Sequence, residues 1–236
     1  MYTFESRVRY SEITEDGTLS VNALIDYMQD CTNFHSEDLG VGLAWHKENQ
    51  LMWVLNSWQI VIESYPKMGE RITIGTQSYG FEKMFGYRNF LITDESGACV
   101  AKANSIWVLM DLKKNRPMLV SKEIGDIYGT NEPLEMDYAP RKIKVPADGE
   151  EKEGFVVREY HLDTNHHVNN RQYVQMAMLF LDSKVKVKEL RVEYKKQAML
   201  GDEIIPVVYP VSEEEVIVSL NTTDGKPYAV VQFFCE

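Results

Sequence analysis

The sequence predicts an α+β chain of two tandem units, each a curled antiparallel sheet around a long helix, together an internal pseudo-dimer. Three observations carry this. Each half offers one helix and then a run of strand-like segments rich in Val, Ile and aromatic residues. Alternating βα units, the mark of a parallel sheet, are missing. The two halves also match without a gap at an offset of 149, where Val8, Arg9, Ile13, Leu19 and Ile25 fall on Val157, Arg158, Leu162, Val168 and Val174.

The first helix starts near Ser20, a good N-cap, sets Leu24, Ile25, Met28 and Cys31 on one side, and ends near Gly40. Strands follow at about 52–64, 71–80, 87–93 and 99–112, with Asp94-Glu95-Ser96-Gly97 as a hairpin turn. Residues 129–152, with Pro133, Pro140, Pro146, Gly149 and a Glu-Lys-Glu run, read as a linker between units at 1–128 and 153–236. The order then repeats: a strand at Phe155 to Glu159, a helix from about Asn169 to Leu181, and strands at Val187 to Lys195, Glu203 to Tyr209, Val216 to Asn221 and Tyr228 to Phe234. At an offset of 132, Ile60, Met68, Gly69, Glu70 and Ile72 meet Val192, Leu200, Gly201, Asp202 and Ile204; at 128, Gly97 and Ala101 meet Gly225 and Ala229. The shrinking offset reflects longer connections in the first half.

Composition narrows the function classes. With 25 basic against 36 acidic residues the net charge is −11, which argues against nucleic acid as a partner. Cys31, Cys99 and Cys235 are widely spaced and odd in number, which suits reduced thiols rather than a disulfide framework. The N-terminal residues lack a basic segment followed by an apolar run, and the longest apolar runs are too short to span a bilayer. The expectation is a soluble cytoplasmic protein with no membrane insertion.

The densest polar cluster in an ordered region is His161-Leu162-Asp163-Thr164-Asn165-His166-His167-Val168-Asn169-Asn170, directly before the second helix, with three of the five histidines. On an extended backbone Asp163, Asn165 and His167 would share one face. An imidazole can take a proton from water, a carboxylate can orient it, a carboxamide can hold a water or a carbonyl, and the following helix N-terminus can stabilise an oxyanion. The plain alternative is that Asp and Asn make a capping turn beside solvated histidines. Adjacent His166 and His167 with no second ligand cluster make a poor metal site. Cys31 and His35, four apart on the first helix, fit a packing Cys and a surface His better than a metal pair.

The run Asp163-Thr164-Asn165-His166-His167-Val168-Asn169-Asn170 with Tyr173, followed by Val192-Glu193-Tyr194-Lys195-Lys196-Gln197, resembles the acyl-acyl carrier protein (acyl-ACP) thioesterase family, which has two fused hot-dog units. The resemblance in element order covers nearly the whole chain. It implies hydrolysis of fatty acyl-ACP to free fatty acid, with Asp163, Asn165 and His167 as catalytic residues, Gln197 beside them, and no cofactor or metal. Plant members have a Glu-Cys pair where this chain has Gln197-Ala198, so a papain-like Cys-His-Asn mechanism is not available: alanine has no nucleophile. Two routes are left. His167 or Asp163 acts as general base on a water held partly by Gln197, or Asp163 attacks directly to form a mixed anhydride.

At the 149 offset Asp163, Asn165 and His167 fall on Thr14, Asp16 and Thr18, so the first unit lacks the histidine. One active site per chain is expected, with the first unit mainly housing the acyl chain. Met28, Met52, Trp53, Trp58 and Trp107 are candidate lining residues, although ordinary core packing explains each. The basic stretch Lys184, Lys186, Lys188 and Arg191 is the candidate docking patch for an acidic acyl carrier protein, an ordinary solvated strand face being the alternative. Rival functions are an acyl-CoA thioesterase, more weakly a dehydratase of the same fold, and a non-catalytic acyl-binding or sensing module. A fused pair could act as a monomer or pair again as a homodimer.

Overall fold

The computed structural model describes residues 1–182 and 185–236. The chain divides into two units, one of Met1–Asn56 with Ile60–Tyr138, the other of Ser57–Gln59 with Ala139–Glu236.

The first unit opens on β1 (Tyr2–Arg7), an edge strand of six residues whose in–out alternation is too short to stand out in sequence. Helix α1 (Val21–Asp38) begins where Ser20 Oγ accepts the Ala23 N–H at 3.2 Å, and buries Leu24, Ile25, Met28 and Cys31 as the spacing requires. Then come α2 (Leu43–Asn49), β2 (Leu51–Ile62), β3 (Arg71–Glu82), β4 (Phe85–Asp94), β5 (Cys99–Asp111), β6 (Arg116–Pro117) and α3 (Lys122–Tyr128). Helices α2 and α3 went unanticipated because seven residues leave almost no periodic signal. The hairpin at Asp94–Gly97 is as read: Asp94 Oδ1 accepts the N–H groups of Ser96 at 2.8 Å and Ala98 at 3.0 Å. The strands run in the order β1-β3-β4-β5-β2, and α1 packs on β3 and β1. Antiparallel register sets Phe4, Ile74, Ile92 and Ala101 in one cross-strand row. Cys31 on α1 donates its thiol to the Ile74 carbonyl at 3.6 Å, which places this face under the helix.

The second unit contains β7 (Glu150–Glu151), β8 (Phe155–Val156), α4 (Asn170–Met178), β9 (Val187–Tyr194), β10 (Glu203–Pro210), β11 (Glu215–Asn221) and β12 (Pro227–Cys235). Strand order is β9-β12-β11-β10, with β7 and β8 each paired to β10, and α4 packs on β11 and β12. Two expectations shift. The strand foreseen at Phe155 to Glu159 keeps only Phe155–Val156, because Glu159–His161 winds into a 3-10 turn. The helix foreseen to Leu181 ends at Met178. Within residues 129–152, Ile143 is buried against Ile217 and Val230, and its N–H donates to Glu193 Oε2 at 3.2 Å. This part of the connection is therefore packed and bonded into the second unit rather than loose.

The two units repeat bond by bond. Ser20 N–H reaches Glu12 O and Asn169 N–H reaches His161 O, both at 2.9 Å. Thr14 N–H to Thr18 O at 2.9 Å answers to Asp163 N–H to His167 O at 2.7 Å. Leu19 N–H to Pro66 O at 2.7 Å answers to Val168 N–H to Ala198 O at 2.9 Å. Gly69 and Gly201 have φ of 90° and 85°, a left-handed conformation that favours glycine, which explains the shared Gly-acid signal.

Candidate active site

The polar run before α4 is a hairpin turn and not an extended strand. Leu162 bridges Val168, Asp163 N–H donates to His167 O, and His166 N–H returns to Asp163 O at 3.1 Å. Asp163, Asn165 and His167 therefore do not share a strand face, because the backbone reverses between them. Asp163 Oδ1 instead accepts the N–H groups of Asn165 at 2.8 Å and His167 at 3.2 Å, an Asx-type cap on the turn. The capping alternative weighed from sequence is thus realised for one carboxylate oxygen.

The three clustered histidines have separate fates. His161 Nδ1 accepts the Arg158 N–H at 3.0 Å, in the position where Glu12 Oε2 takes the Arg9 N–H at 2.8 Å in the first unit. His166 is exposed at the turn with φ of 62°, matching Gly17 at 78°. His167 is half-buried, and its backbone pairs with Met199. That pairing, with Val168 N–H on Ala198 O, sets the turn against the segment that begins at Gln197. Asn165 and Gln197 are both exposed. The turn and the Gln197 segment are joined by backbone bonds, and among the described residues no hydrogen bond runs from side chain to side chain between Asp163, Asn165, His167 and Gln197.

Support comes from residues that sequence reasoning left without a structural role. Tyr173 Oη, on the first turns of α4, accepts the N–H of fully buried Ala198 at 2.8 Å. Tyr194 donates its hydroxyl to Asn170 O at 3.0 Å, and the two tyrosine rings meet edge-on at 5.9 Å. Burial pushes both phenols well above their ordinary range, so both are neutral. Asp202 Oδ2 accepts from Met199 N–H at 3.0 Å and from the Tyr228 hydroxyl at 3.1 Å, which pins the far side of the same loop. At the helix start Asn169 Oδ1 accepts the Arg171 N–H at 2.9 Å, so that amide is satisfied internally. Among the described residues no three His, Cys, Asp or Glu side chains converge as metal ligands would.

Residues 1–128 match the family description "Acyl-ACP thioesterase N-terminal domain", and residues 144–227 match "Acyl-ACP thioesterase C-terminal domain". The chain belongs to the acyl-ACP thioesterase family. It is 27% identical over 228 residues to a chloroplastic acyl-[acyl-carrier-protein] hydrolase of Cuphea viscosissima, covering 88% of this chain and 54% of that protein. A palmitoyl-acyl carrier protein thioesterase of Gossypium hirsutum is 26% identical over 207 residues, 80% of this chain and 50% of its own length. The chain thus spans about half the length of the curated relatives it matches. Among solved structures, an acyl-ACP thioesterase from Bacteroides thetaiotaomicron superposes with a TM-score of 0.91 at 24% identity, covering 99% of this chain and 97% of that one. The 12:0-ACP thioesterase from Umbellularia californica gives 0.88 at 19% identity, covering 100% and 96%. The fold is accordingly two tandem hot-dog units of α+β class. Among the described residues no helix is long and apolar enough to cross a membrane.

The other expected site residues scatter. Met28 is fully buried on α1, Met52 and Trp53 are half-buried on β2, and Trp107 Nε1 donates to Ser105 Oγ at 2.7 Å. Trp53 lies 6.2 Å from both Phe81 and Tyr128, ring centre to ring centre. Trp58 is buried and groups with the second unit, not the first. An open cleft of about 810 Å³ in the first unit is lined by Gly80, Phe81, Ser121, Gly125 and Gly129 among others, and by none of the five expected lining residues. Of the basic stretch, Lys184 lies outside the described residues. Lys186 is exposed, and Lys188 pairs with Glu236 at 2.7 Å. Arg191 is half-buried and donates to Gln232 Oε1 at 2.8 Å and to the carbonyls of Pro140 and Lys142. Its guanidinium anchors the incoming chain to β9 and is not part of a free cationic face.

Proposed function

We propose that the chain is a thioester hydrolase that releases free fatty acid from acyl-ACP in fatty-acid biosynthesis. The observation that carries this reading is the backbone pairing of His167 with Met199, which holds the imidazole-bearing turn beside the Gln197 segment within one unit. Thr18 stands at the matching position of the first unit, so the reading assigns one active site per chain, with the first unit holding the acyl tail. In the reaction, His167 takes a proton from water as the oxygen adds to the thioester carbonyl. Asn165 and Gln197 hold the water or the carbonyl. The C–S bond then breaks and the proton returns to the departing thiolate, which gives fatty acid and carrier thiol. Asp163 Oδ1 already accepts two N–H groups, so an anhydride on Asp163 would form through Oδ2. A single turnover in isotope-labelled water tests the anhydride route, since label on Asp163 arises only by water attacking the Asp163 carbonyl of an anhydride.

The partner in this proposal is the acidic carrier, met by Lys184, Lys186 and Lys188, and the working form is a monomer or a homodimer. The three free cysteines suit a reducing compartment, which we take as the cytosol, whereas the plant relatives carry chloroplastic names. His167→Ala should lower kcat by about 10³-fold with the fold intact, and a fully active variant would remove the central claim. Matched carrier-linked and CoA-linked chains complete the test. Preference for CoA would favour an acyl-CoA thioesterase, and no turnover of either would favour an acyl-binding module.

A further inference from the structure

The interior of the first unit changes character along α1. Over its first turns Leu24 and Met28 are fully buried, and the sheet beneath offers Ile72, Ile74, Phe90, Ile92, Ala101 and Ala103. Toward its end the helix presents His35, and the cross-strand row becomes Ser78, Arg88 and Ser105. Arg88 is only 6% exposed. Its Nη1 donates to Thr76 Oγ1 at 3.1 Å and lies 3.1 Å from His35 Nδ1, while Nη2 donates to Ser78 Oγ at 3.2 Å. The guanidinium carbon stands 5.6 Å from the centre of the Tyr128 ring. Burial and the Arg88 charge hold His35 down to about 4, so it is neutral and the pair carries one positive charge. All of the Arg88 partners among the described residues are neutral, and no carboxylate faces it.

A cation buried among neutral groups opposes folding, and an apolar core in its place would cost less. It also has a definite effect on any hydrocarbon that reaches it. Methylenes gain by replacing apolar contacts, and they lose where they displace the dipoles that solvate a guanidinium. We propose that Arg88, braced by His35, Thr76, Ser78 and Tyr128, is the polar end-stop of the acyl site and sets the longest chain the enzyme accepts. This rests on the hydrolase reading above, with the acyl tail housed in the first unit.

The test is a ladder of saturated acyl-ACP substrates given to the wild type, Arg88→Met and Arg88→Lys. The wild type should show a sharp fall in kcat/KM beyond one length. Arg88→Met, unbranched and apolar, should shift the ratio of kcat/KM between the chain one two-carbon step beyond that limit and the chain at the limit by about tenfold toward the longer one. Arg88→Lys, which keeps the charge, should keep the wild-type limit. Should Arg88→Met fold poorly, Arg88→Gln removes the charge while keeping a polar side chain, and it too should extend the limit. A folded, active Met or Gln variant with an unchanged length profile overturns the end-stop alone. A wild type that hydrolyses no thioester of any length overturns the hydrolase reading and the end-stop with it.

Discussion

The phenol oxygen of Tyr173 accepts the backbone N–H of Ala198 at 2.8 Å, and so ties α4 to the loop that carries Gln197. At the matching positions of the first unit stand Leu24 and Pro66. Proline has no N–H, so the first unit needs no acceptor there and leucine suffices. Tyr173→Phe should therefore strand a buried donor and destabilise the protein by about 1–3 kcal/mol. Tyr173→Phe combined with Ala198→Pro removes the donor as well, and should recover most of that loss. Urea unfolding of the three proteins checks this, and a double variant no more stable than the single one would show that the bond does not act as described.

Asp163 holds the turn and carries a charge, and the two roles separate by substitution. Asn keeps an oxygen for the N–H groups of Asn165 and His167, so Asp163→Asn should hold stability within about 0.5 kcal/mol, whereas Asp163→Ala should cost about 1–2 kcal/mol. Both should lose about 10²-fold or more in kcat if the charge serves the chemistry. Thermal melts beside steady-state rates read the two effects independently.

His35 makes stability depend on acid. Burial, then the Arg88 charge, holds its imidazole down to about 4 against an ordinary value of 6.5. Between those values the unfolded chain binds a proton that the folded chain does not. The stabilisation is complete above pH 6.5 and is lost as pH falls toward 4. The difference amounts to about 2 kcal/mol across most of the window. His35→Gln, which keeps an acceptor for Arg88 but does not titrate, should show a flatter acid limb in denaturant midpoints measured across pH.

Carrier docking is read from a difference between substrates. Charge reversal at Lys184, Lys186 and Lys188 should raise KM for acyl-ACP several-fold, about 1 kcal/mol or more in sum, with kcat held and CoA-linked substrate unaffected. The effect should shrink at high salt. An unchanged KM for the carrier-linked substrate would refute docking there. Arg191 is left out of this set because its bonds to Pro140 and Lys142 make it structural.

Much of the architecture is written in short-range signals. Ser20 caps α1, the Asp94–Gly97 hairpin turns where its residues demand, and the gapless offset of 149 predicts a repeat that recurs hydrogen bond by hydrogen bond. The proposed site is legible for the same reason. Asp163, Asn165 and His167 are neighbours in sequence, the loss of the histidine at Thr18 is a simple comparison, and Ala198 excludes a cysteine nucleophile there.

Tertiary structure decided which way those residues turn and what surrounds them. Alternation suggests a strand through Asp163 to His167, but pairing of Leu162 with Val168 folds it into a hairpin and draws Asp163 into capping it. Trp58 joins the second unit, Arg191 becomes an anchor, and Arg88, unremarkable in sequence, becomes a buried cation. The physical reason is range. Caps, turns and periods depend on residues a few positions away, whereas the partner of a buried polar group is set by strand register, and Arg88 meets His35 across 53 residues.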